Sequence, residues 1–429
     1  MPFEIIDASD REALARVVRT GWDIPDEISD GVRTIIRNVR DRGDAALIEY
    51  TRQFDSPCFT AGMQAVPVPA RERSRKLVPP HIADALELAR DRVEDFHRRQ
   101  LPVNIDYTQQ DGTAYGFHYV PLRAVGAYVP AASAPLASSV IMSAVPAKVA
   151  GVSRVVVFCP PQSDGSVHPA ILYASALCGV DELYAAGGAQ AIAAAAFGTA
   201  SIAPVDKIVG PGNRWVTEAK RQVFGTCAID GLAGPSEVLV VAEESSDVER
   251  AAWELMAQAE HDPDARVAII SESRPFLERC RSYLEKIAEE TTARGAILKN
   301  VFERGFSLIY ADSRVAVFEI IDSFAPEHLS LQVRDARPYL SAIRTAGAIF
   351  VGPHTPVAAG DYIAGTNHVL PTSGSARFSS GLRTLDFMRS FSILANSEQR
   401  MKSDATAIAA LANFEGLDAH ARTARMRAP

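Results

Sequence analysis

The sequence predicts an α/β fold with two Rossmann-like βαβ lobes, a helical N-terminal segment and an extended helical C-terminal tail. From residue 125 onward, short apolar runs alternate with segments of helical spacing, which is typical of parallel βαβ units. The chain has 429 residues, enough for two or three domains with buried cores. Its content of 47% hydrophobic and 22% charged residues is ordinary for a soluble globular protein.

The first hundred residues are predicted to be mostly helical. Apolar residues recur at helical spacing over residues 28–54, with an interruption at Gly43, and again over residues 81–99. We assign residues 1–25 to a separate helical N-terminal segment, and residues 26–124 to the same lobe as residues 237–383, which we call the first lobe.

The second lobe is predicted to comprise residues 125–236. Its predicted strands cover residues 125–129, 152–158, 182–185 and 207–209. Its predicted helices cover residues 138–149, 170–177, 189–197 and 214–223.

The two lobes are predicted to join near Gly234 and Pro235, where the chain returns to the first lobe. Predicted strands in this part cover residues 238–242, 266–270, 307–310 and 348–351. Predicted helices cover residues 248–259 and 276–292. Residues 384–429 are predicted to form the helical tail.

Charge and cysteine content narrow the class of protein. The net charge of −8, from 44 basic and 52 acidic residues, argues against a general nucleic-acid binder. Five cysteines, an odd number without a CxxC pair, indicate reduced thiols in a cytosolic protein. The sequence shows neither a signal-peptide pattern nor an apolar run of transmembrane length, so we expect a cytoplasmic protein.

Four residues are candidate ligands for a divalent metal ion. Gln258 and His261 stand three residues apart after an apolar helical run, which places them on one helix face. Asp361 ends a loop rich in glycine, alanine and proline, and His420 lies near the C-terminus. A mixed His, Asp and Gln set suits a borderline divalent ion and leaves positions open for substrate. Each residue alone is also compatible with an ordinary surface, turn or helix position.

A candidate acid/base pair, Glu327 and His328, lies within an apolar stretch. Imidazole titrates near neutrality and can take a proton from an alcohol, whereas a carboxylate in an apolar setting has a raised pKa and can activate water. The alternative is a helix cap beside a satisfied histidine.

Two glycine-containing loops follow predicted strands, at residues 209–213 (VGPGN) and 232–237 (LAGPSE). Their backbone amides could meet a phosphate or a carboxylate. Neither has the GxGxxG spacing, so the Rossmann fingerprint is absent and these loops alone do not establish a nucleotide site.

Eight stretches in order make the chain resemble the histidinol dehydrogenase family over nearly its whole length. They are PAKVAG at 146–151, GGAQAI at 187–192, VDKIVGPGN at 205–213, AGPSE at 233–237, QAEH at 258–261, APEHL at 325–329, NHVLP at 367–371 and EGLDAH at 415–420. One departure is Ala131-Ala132, where many members of the family carry two glycines.

The resemblance implies residue roles and cofactors. One zinc ion per subunit would be held by Gln258, His261, Asp361 and His420, which would also contact the substrate. Further substrate contacts would come from Ser236, His328 and Glu415. NAD would be bound in the second lobe by Tyr128, Gln190 and Asn213. Glu327 and His328 would be the acid/base pair.

The resemblance also implies a reaction and an assembly. The reaction is the four-electron oxidation of L-histidinol through L-histidinal to L-histidine with two NAD+, the last step of histidine biosynthesis. The assembly is a homodimer in which residues 384–429 of one subunit complete the site of the other.

Two alternatives stay open. A related zinc- and NAD-dependent dehydrogenase would oxidise another small alcohol, such as a sulfonated propanediol. Glu415 favours a cationic amino group, whereas a sulfonate would prefer Arg or Lys at that position. A non-catalytic protein with structural zinc is disfavoured, because a structural site needs neither Glu327 nor His328.

Overall fold

The computed structural model describes residues 3–18, 23–131, 135–291 and 294–428. The strands are β1 (Ile5–Asp7), β2 (Ile105–Thr108), β3 (Ala114–Pro121), β4 (Ala124–Tyr128), β5 (Arg154–Cys159), β6 (Glu182–Ala185), β7 (Lys207–Val209), β8 (Ala228–Ile229), β9 (Glu237–Ala242), β10 (Arg266–Ser271), β11 (Phe306–Tyr310), β12 (His328–Gln332), β13 (Ala348–Val351) and β14 (Met388–Ala395).

The α-helices alternate with these strands over most of the chain. They are α1 (Arg11–Val18), α2 (Asp26–Arg42), α3 (Asp44–Phe54), α4 (Val68–Arg73), α5 (Pro80–Arg98), α6 (Ala137–Ala150), α7 (Pro169–Leu177), α8 (Gly188–Phe197), α9 (Arg214–Val223), α10 (Val248–Ala259), α11 (Arg274–Glu290), α12 (Gly295–Arg304), α13 (Arg314–Phe324), α14 (Arg337–Ala342), α15 (Val357–Tyr362), α16 (Glu398–Phe414) and α17 (Asp418–Met426).

A five-stranded parallel sheet forms the second lobe, in the order β6-β5-β4-β7-β8. Strand β4 is buried along its whole length and β5 along all but its first residue, because helices cover both faces of the sheet. Helices α5, α6 and α7 pack on one face, and α2, α3, α8 and α9 pack on the other.

A six-stranded parallel sheet forms the first lobe, in the order β1-β11-β10-β9-β12-β13. Helices α10, α11 and α12 contribute the core on one face. Helices α1, α13 and α14 contribute the core on the other face. The fold is therefore a pair of three-layer α/β units, and the predicted fold class is confirmed.

The structure also contains a three-stranded antiparallel sheet that the sequence did not predict, in the order β14-β3-β2. Strand β14 falls in the stretch that we predicted to be wholly helical. Its eight residues pair with β3 from Met388 opposite Pro121 to Ala395 opposite Ala114. This partner lies far away in the sequence, so no local pattern signals the pairing.

The N-terminal part differs from its prediction in two ways. Residues 5–7 form strand β1, which extends the six-stranded sheet beside β11, although residues 1–25 were predicted to be helical. Residues 19–22 of that segment lie outside the described residues. Helices α2, α3 and α5 pack on the five-stranded sheet, whereas the sequence assigned residues 26–124 to the first lobe.

No helix among the described residues is long and apolar enough to cross a bilayer.

Candidate functional site

The predicted acid/base pair lies at the amino-terminal edge of the six-stranded sheet. His328 is the first residue of β12 and is paired with Val238 of β9 and Ala348 of β13. Glu327 directly precedes the strand, and both side chains are buried. Parallel sheets usually bind ligands at their carboxyl edge, so the topology alone would have pointed to the opposite side.

Hydrogen bonding fixes the tautomer of His328. Its Nδ1 lies 2.9 Å from the carbonyl oxygen of Glu237, which can only accept, so Nδ1 carries the proton. Its Nε2 is buried without a hydrogen-bond partner and lies 3.8 Å from an oxygen of Asp361. Burial, with smaller effects from the charges of His261 and His368, lowers the pKa of His328 to about 4. The ring is therefore neutral near pH 7, with a free lone pair on Nε2.

Glu327 is held by the same backbone unit. Its Oε2 accepts a hydrogen bond from the backbone N–H of Glu237 at 2.8 Å and lies 3.5 Å from Nδ1 of His328. Burial raises the pKa of Glu327 well above its usual range, and the negative charges of Glu237 and Asp361 add to this effect. A carboxylate in this position is a stronger base than one in water.

Asp361 lies on the short helix α15 next to His328. Burial raises the pKa of Asp361 to about 7, and the charge of Glu254 contributes to the rise. The backbone carbonyl of Asp361 accepts a hydrogen bond from Nδ1 of His368 at 2.8 Å, and Nε2 of His368 lies 3.3 Å from the hydroxyl of Ser139. Because Ser139 belongs to α6, His368 connects α15 of the first lobe to the second lobe.

Gln258 and His261 lie at the end of α10, but not on one helix face. Gln258 is buried in the last turn of the helix, whereas His261 follows the C-cap residue Glu260 in a turn. Helix α10 has the predicted bounds, but His261 lies two residues beyond its end, so the expectation that the two residues share one helix face is wrong. His261 still lies close enough to His328 and His368 for its charge to act on both imidazoles.

His420 and Glu415 do not join this cluster within one chain. His420 lies on α17 and Glu415 caps α16, and both side chains are exposed. Among the described residues no three His, Cys, Asp or Glu side chains are grouped as a metal site requires, so His261, Asp361 and His420 do not form one group within a single chain. Within a single chain, His261 and Asp361 each lie near His328.

Ser236 directly precedes β9 and is half-buried beside the same edge. Its carbonyl oxygen accepts from the backbone N–H of Arg266 at 3.0 Å. The guanidinium of Arg266 in turn bonds Oε1 of Glu237 at 2.6 Å. Arg266 therefore holds the start of β9 through both its backbone and its side chain. The same stretch of backbone, at Glu237, contacts Glu327 and His328.

Two of the predicted NAD contacts lie at the carboxyl edge of the five-stranded sheet. Tyr128 ends β4, and its hydroxyl accepts from the backbone N–H of Gly188 at 3.1 Å. Gln190, in the first turn of α8, donates its Nε2 to Asp55 at 3.2 Å. Burial raises the pKa of Asp55 to about 6, against the hydrogen bonds from Gln190 and Gly187.

The third predicted NAD contact, Asn213, is the N-cap of α9. Its side-chain oxygen accepts from the backbone N–H groups of Trp215 and Val216, both at 3.1 Å. The amide nitrogen of Asn213 is not used by this cap. Ala131 packs against the core of the second lobe, and Ala132 lies outside the described residues.

The donor set suits a divalent zinc ion. An amide oxygen, an imidazole nitrogen and a carboxylate oxygen come from the buried Gln258, the exposed His261 and the half-buried Asp361. Their chemistry matches a borderline ion, and three ligands from one chain leave room for a fourth and for substrate. Sequence patterns did not single out Glu237, Glu254 or His368, which contact the candidate site residues or the elements that carry them. Their partners are distant in sequence or are backbone groups, so no local pattern indicates these contacts.

Comparison with known proteins shows which family this arrangement matches. The family profile described as histidinol dehydrogenase matches residues 21–428. The chain is 45% identical over 400 residues to a histidinol dehydrogenase of Gluconobacter oxydans (strain 621H), covering 93% of each chain. It is 44% identical over 422 residues to that of Rhizobium meliloti (strain 1021), covering 98% of this chain and 97% of the relative. A crystal structure of histidinol dehydrogenase from Elizabethkingia anophelis superposes with a TM-score of 0.94 at 31% identity, covering 99% of this chain and 98% of the other.

Proposed function

Because the chain belongs to the histidinol dehydrogenase family of alcohol and aldehyde oxidoreductases, we propose that it oxidises L-histidinol through L-histidinal to L-histidine with two NAD+. This would be the last step of histidine biosynthesis. The observation that carries the proposal is the neutral imidazole of His328, with its Nε2 free and Glu327 beside it. The five cysteines of the chain, all within the described residues, form no disulfide bonds, which suits a reducing cytoplasm.

His328 is the base of the first oxidation. Its Nε2 takes the proton of the substrate hydroxyl while the adjacent carbon loses hydride, and the carbonyl of Glu237 stabilises the imidazolium that forms. Each half-reaction delivers one hydride, which NAD+ accepts when bound. The geometry needs no movement of the ring, because Nδ1 is already oriented.

Glu327 is the base of the second oxidation. It takes a proton from the water that adds to the aldehyde carbon. The resulting hydrate then gives up the one hydrogen left on that carbon as hydride to the second NAD+, which yields the carboxylate. The backbone N–H of Glu237 holds Oε2 in place, and burial gives the carboxylate the basicity that this step requires. Retaining the aldehyde in the buried site avoids release of a reactive intermediate.

The zinc site is proposed to consist of Gln258, His261 and Asp361 of one subunit with His420 of the partner subunit. Zinc bound there would supply positive charge that holds the amine and imidazole of the substrate. Ser236 and Glu415 would complete the substrate contacts, and the carboxylate of Glu415 suits a cationic amine.

The partner's contribution is supported by the surface of the tail. His420 and Glu415 are exposed in one chain, and so are apolar side chains around them, with Phe414 91% exposed. Such a surface is typical of an interface. We infer that the protein is a homodimer in which α16 and α17 cover the partner's site.

NAD is proposed to bind at the carboxyl edge of the five-stranded sheet, beside Tyr128, Gln190 and Asn213. This edge is where parallel sheets commonly bind dinucleotides. The start of α8 offers backbone N–H groups, although the loop lacks the GxGxxG pattern.

Substrate specificity gives the direct test. NADH formation would be followed with L-histidinol and, separately, with a sulfonated propanediol, using zinc-loaded enzyme and a Glu415→Lys variant as control. We expect turnover of histidinol only, and a loss of that activity in the variant because a lysine repels the substrate amine. Turnover of the sulfonate by the unaltered enzyme would instead assign it to a related dehydrogenase.

A further inference from the structure

A buried carboxylate, Glu254, lies in α10 one turn before Gln258 and takes no part in the chemistry described above. Its side chain is 8% exposed. Burying a carboxylate is costly unless its oxygens are hydrogen-bonded, so its partners indicate what the residue does.

Glu254 connects three elements of the first lobe. Its Oε1 accepts from the backbone N–H of Val357, the first residue of α15, at 2.8 Å. The side chain of Ser330, in the middle of β12, lies close enough to the carboxylate to lower its pKa, against the larger effect of burial, which raises it. One side chain of α10 is thus hydrogen-bonded to the start of α15 and lies beside β12.

Each of these elements carries one residue of the proposed site at a short, fixed spacing. Gln258 follows Glu254 by four residues in α10, about one helical turn. Asp361 follows Val357 by the same spacing in α15. His328 precedes Ser330 by two residues in β12 and therefore lies on the same face of the strand.

We propose that Glu254 is a positioning residue whose carboxylate fixes how α10, β12 and α15 present the ligands of the zinc site. The inference rests on the proposed function, because it assumes that zinc binds there. Hydrogen-bond partners behind metal ligands typically change metal affinity by about 10- to 100-fold when they are removed.

Three substitutions separate positioning from other roles. Glu254→Gln keeps an oxygen acceptor at the same reach, Glu254→Asp keeps the charge but shortens the side chain, and Glu254→Ala removes both. Glu249→Gln, an exposed position of the same helix, is the matched control. For each dimeric protein we would measure zinc affinity by competition with a chromogenic chelator and the visible absorption spectrum of the cobalt-substituted form.

We expect zinc affinity to fall about 10- to 100-fold in Glu254→Asp and Glu254→Ala, with a shifted cobalt spectrum, and to stay within about threefold in Glu254→Gln and Glu249→Gln. Unaltered affinity and spectrum in Glu254→Ala would overturn the inference. If that variant does not fold, the same result in Glu254→Asp overturns it. Failure of the unaltered protein to bind zinc would refute the proposed function and, with it, this inference.

Discussion

At the scale of single residues, the backbone of Glu237 holds both side chains of the proposed acid/base pair. Its N–H donates to Glu327, and its carbonyl accepts from His328. This arrangement keeps Nε2 of His328 unprotonated and unpaired, although the residue was predicted from sequence only as an imidazole in an apolar stretch. The two residues could be singled out from sequence, but not which ring nitrogen of His328 is free, because that depends on a contact with β9.

Substitutions of His328 and of Glu327 should each slow a different one of the two oxidation steps. His328→Gln should slow the conversion of histidinol to histidinal by about 100- to 10,000-fold, because an amide cannot take the hydroxyl proton. Glu327→Gln should slow the conversion of supplied histidinal to histidine by a similar factor. Single-turnover formation of NADH from each substrate checks both effects. A Glu327→Gln enzyme that oxidises histidinal at the unaltered rate would contradict the role of Glu327.

Asp55 predicts a pH dependence of stability. Burial raises its pKa from 3.8 to about 6 in the folded protein, so the folded state holds this proton more tightly than the unfolded state. The stabilising contribution of protonated Asp55 is complete below the unfolded pKa and is lost as the pH rises through the folded pKa. Between about pH 4 and about pH 6, the unaltered protein should therefore lose about 1–2 kcal/mol of unfolding free energy relative to Asp55→Asn.

Urea unfolding at a series of pH values measures that difference. The Gln190 contact makes Asp55→Asn a mild change, since an asparagine oxygen can still accept from Gln190. A stability difference between the two proteins that is constant over this pH range would show that the carboxyl of Asp55 is not perturbed.

At the scale of elements, the loop between β7 and α9 is held against β4 by a glycine. Gly210 has φ of 106°, and a Cβ there would lie 2.2 Å from the carbonyl oxygen of Tyr128. The backbone at this position cannot move away without displacing Tyr128, which is buried.

Gly210→Ala should therefore destabilise the protein by about 3 kcal/mol or more, because of both the backbone conformation and the clash. Gly225 is the matched control, with φ of 102° and no atom within 4 Å of an added Cβ. Gly225→Ala should cost only about 1 kcal/mol, which is the conformational penalty alone. Thermal unfolding of both variants gives the comparison, and equal losses would argue against the close approach.

The elements that the sequence predicted well are those with local signals. The strands at 182–185 and 207–209 and the helix at 214–223 have the predicted bounds, because each is a short buried run or an amphipathic segment between turn residues. Strands β1, β2, β3, β8, β12 and β14 were missed, since pairing with distant partners stabilises them. The packing of α2, α3 and α5 on the second lobe was missed for a related reason: an amphipathic helix shows which face is apolar, but not which sheet it covers.

At the scale of the whole molecule, the family predicted from eight ordered motifs is confirmed by the comparisons. The site itself could be predicted only as a set of residue types. A single chain brings His261 and Asp361 towards His328 but leaves His420 exposed. Completion of the site by a second copy therefore stays a proposal.

Mixed dimers test this completion directly. Asp361→Ala and His420→Ala subunits, each inactive alone, would be unfolded, mixed in equal amounts and refolded together. If His420 acts across the interface, each mixed dimer has one intact site, and roughly a quarter of the full activity should return. If His420 served its own subunit, every site would lack a ligand and no activity would return.

The stoichiometry of the reaction tests the central claim most directly. The zinc-loaded enzyme would be given a limiting amount of L-histidinol and excess NAD+, and NADH, histidinal and histidine would be counted at completion. The proposed two-step chemistry of His328 and Glu327 predicts two NADH and one L-histidine for each histidinol, with no free histidinal. One NADH per histidinol with accumulation of histidinal would contradict it.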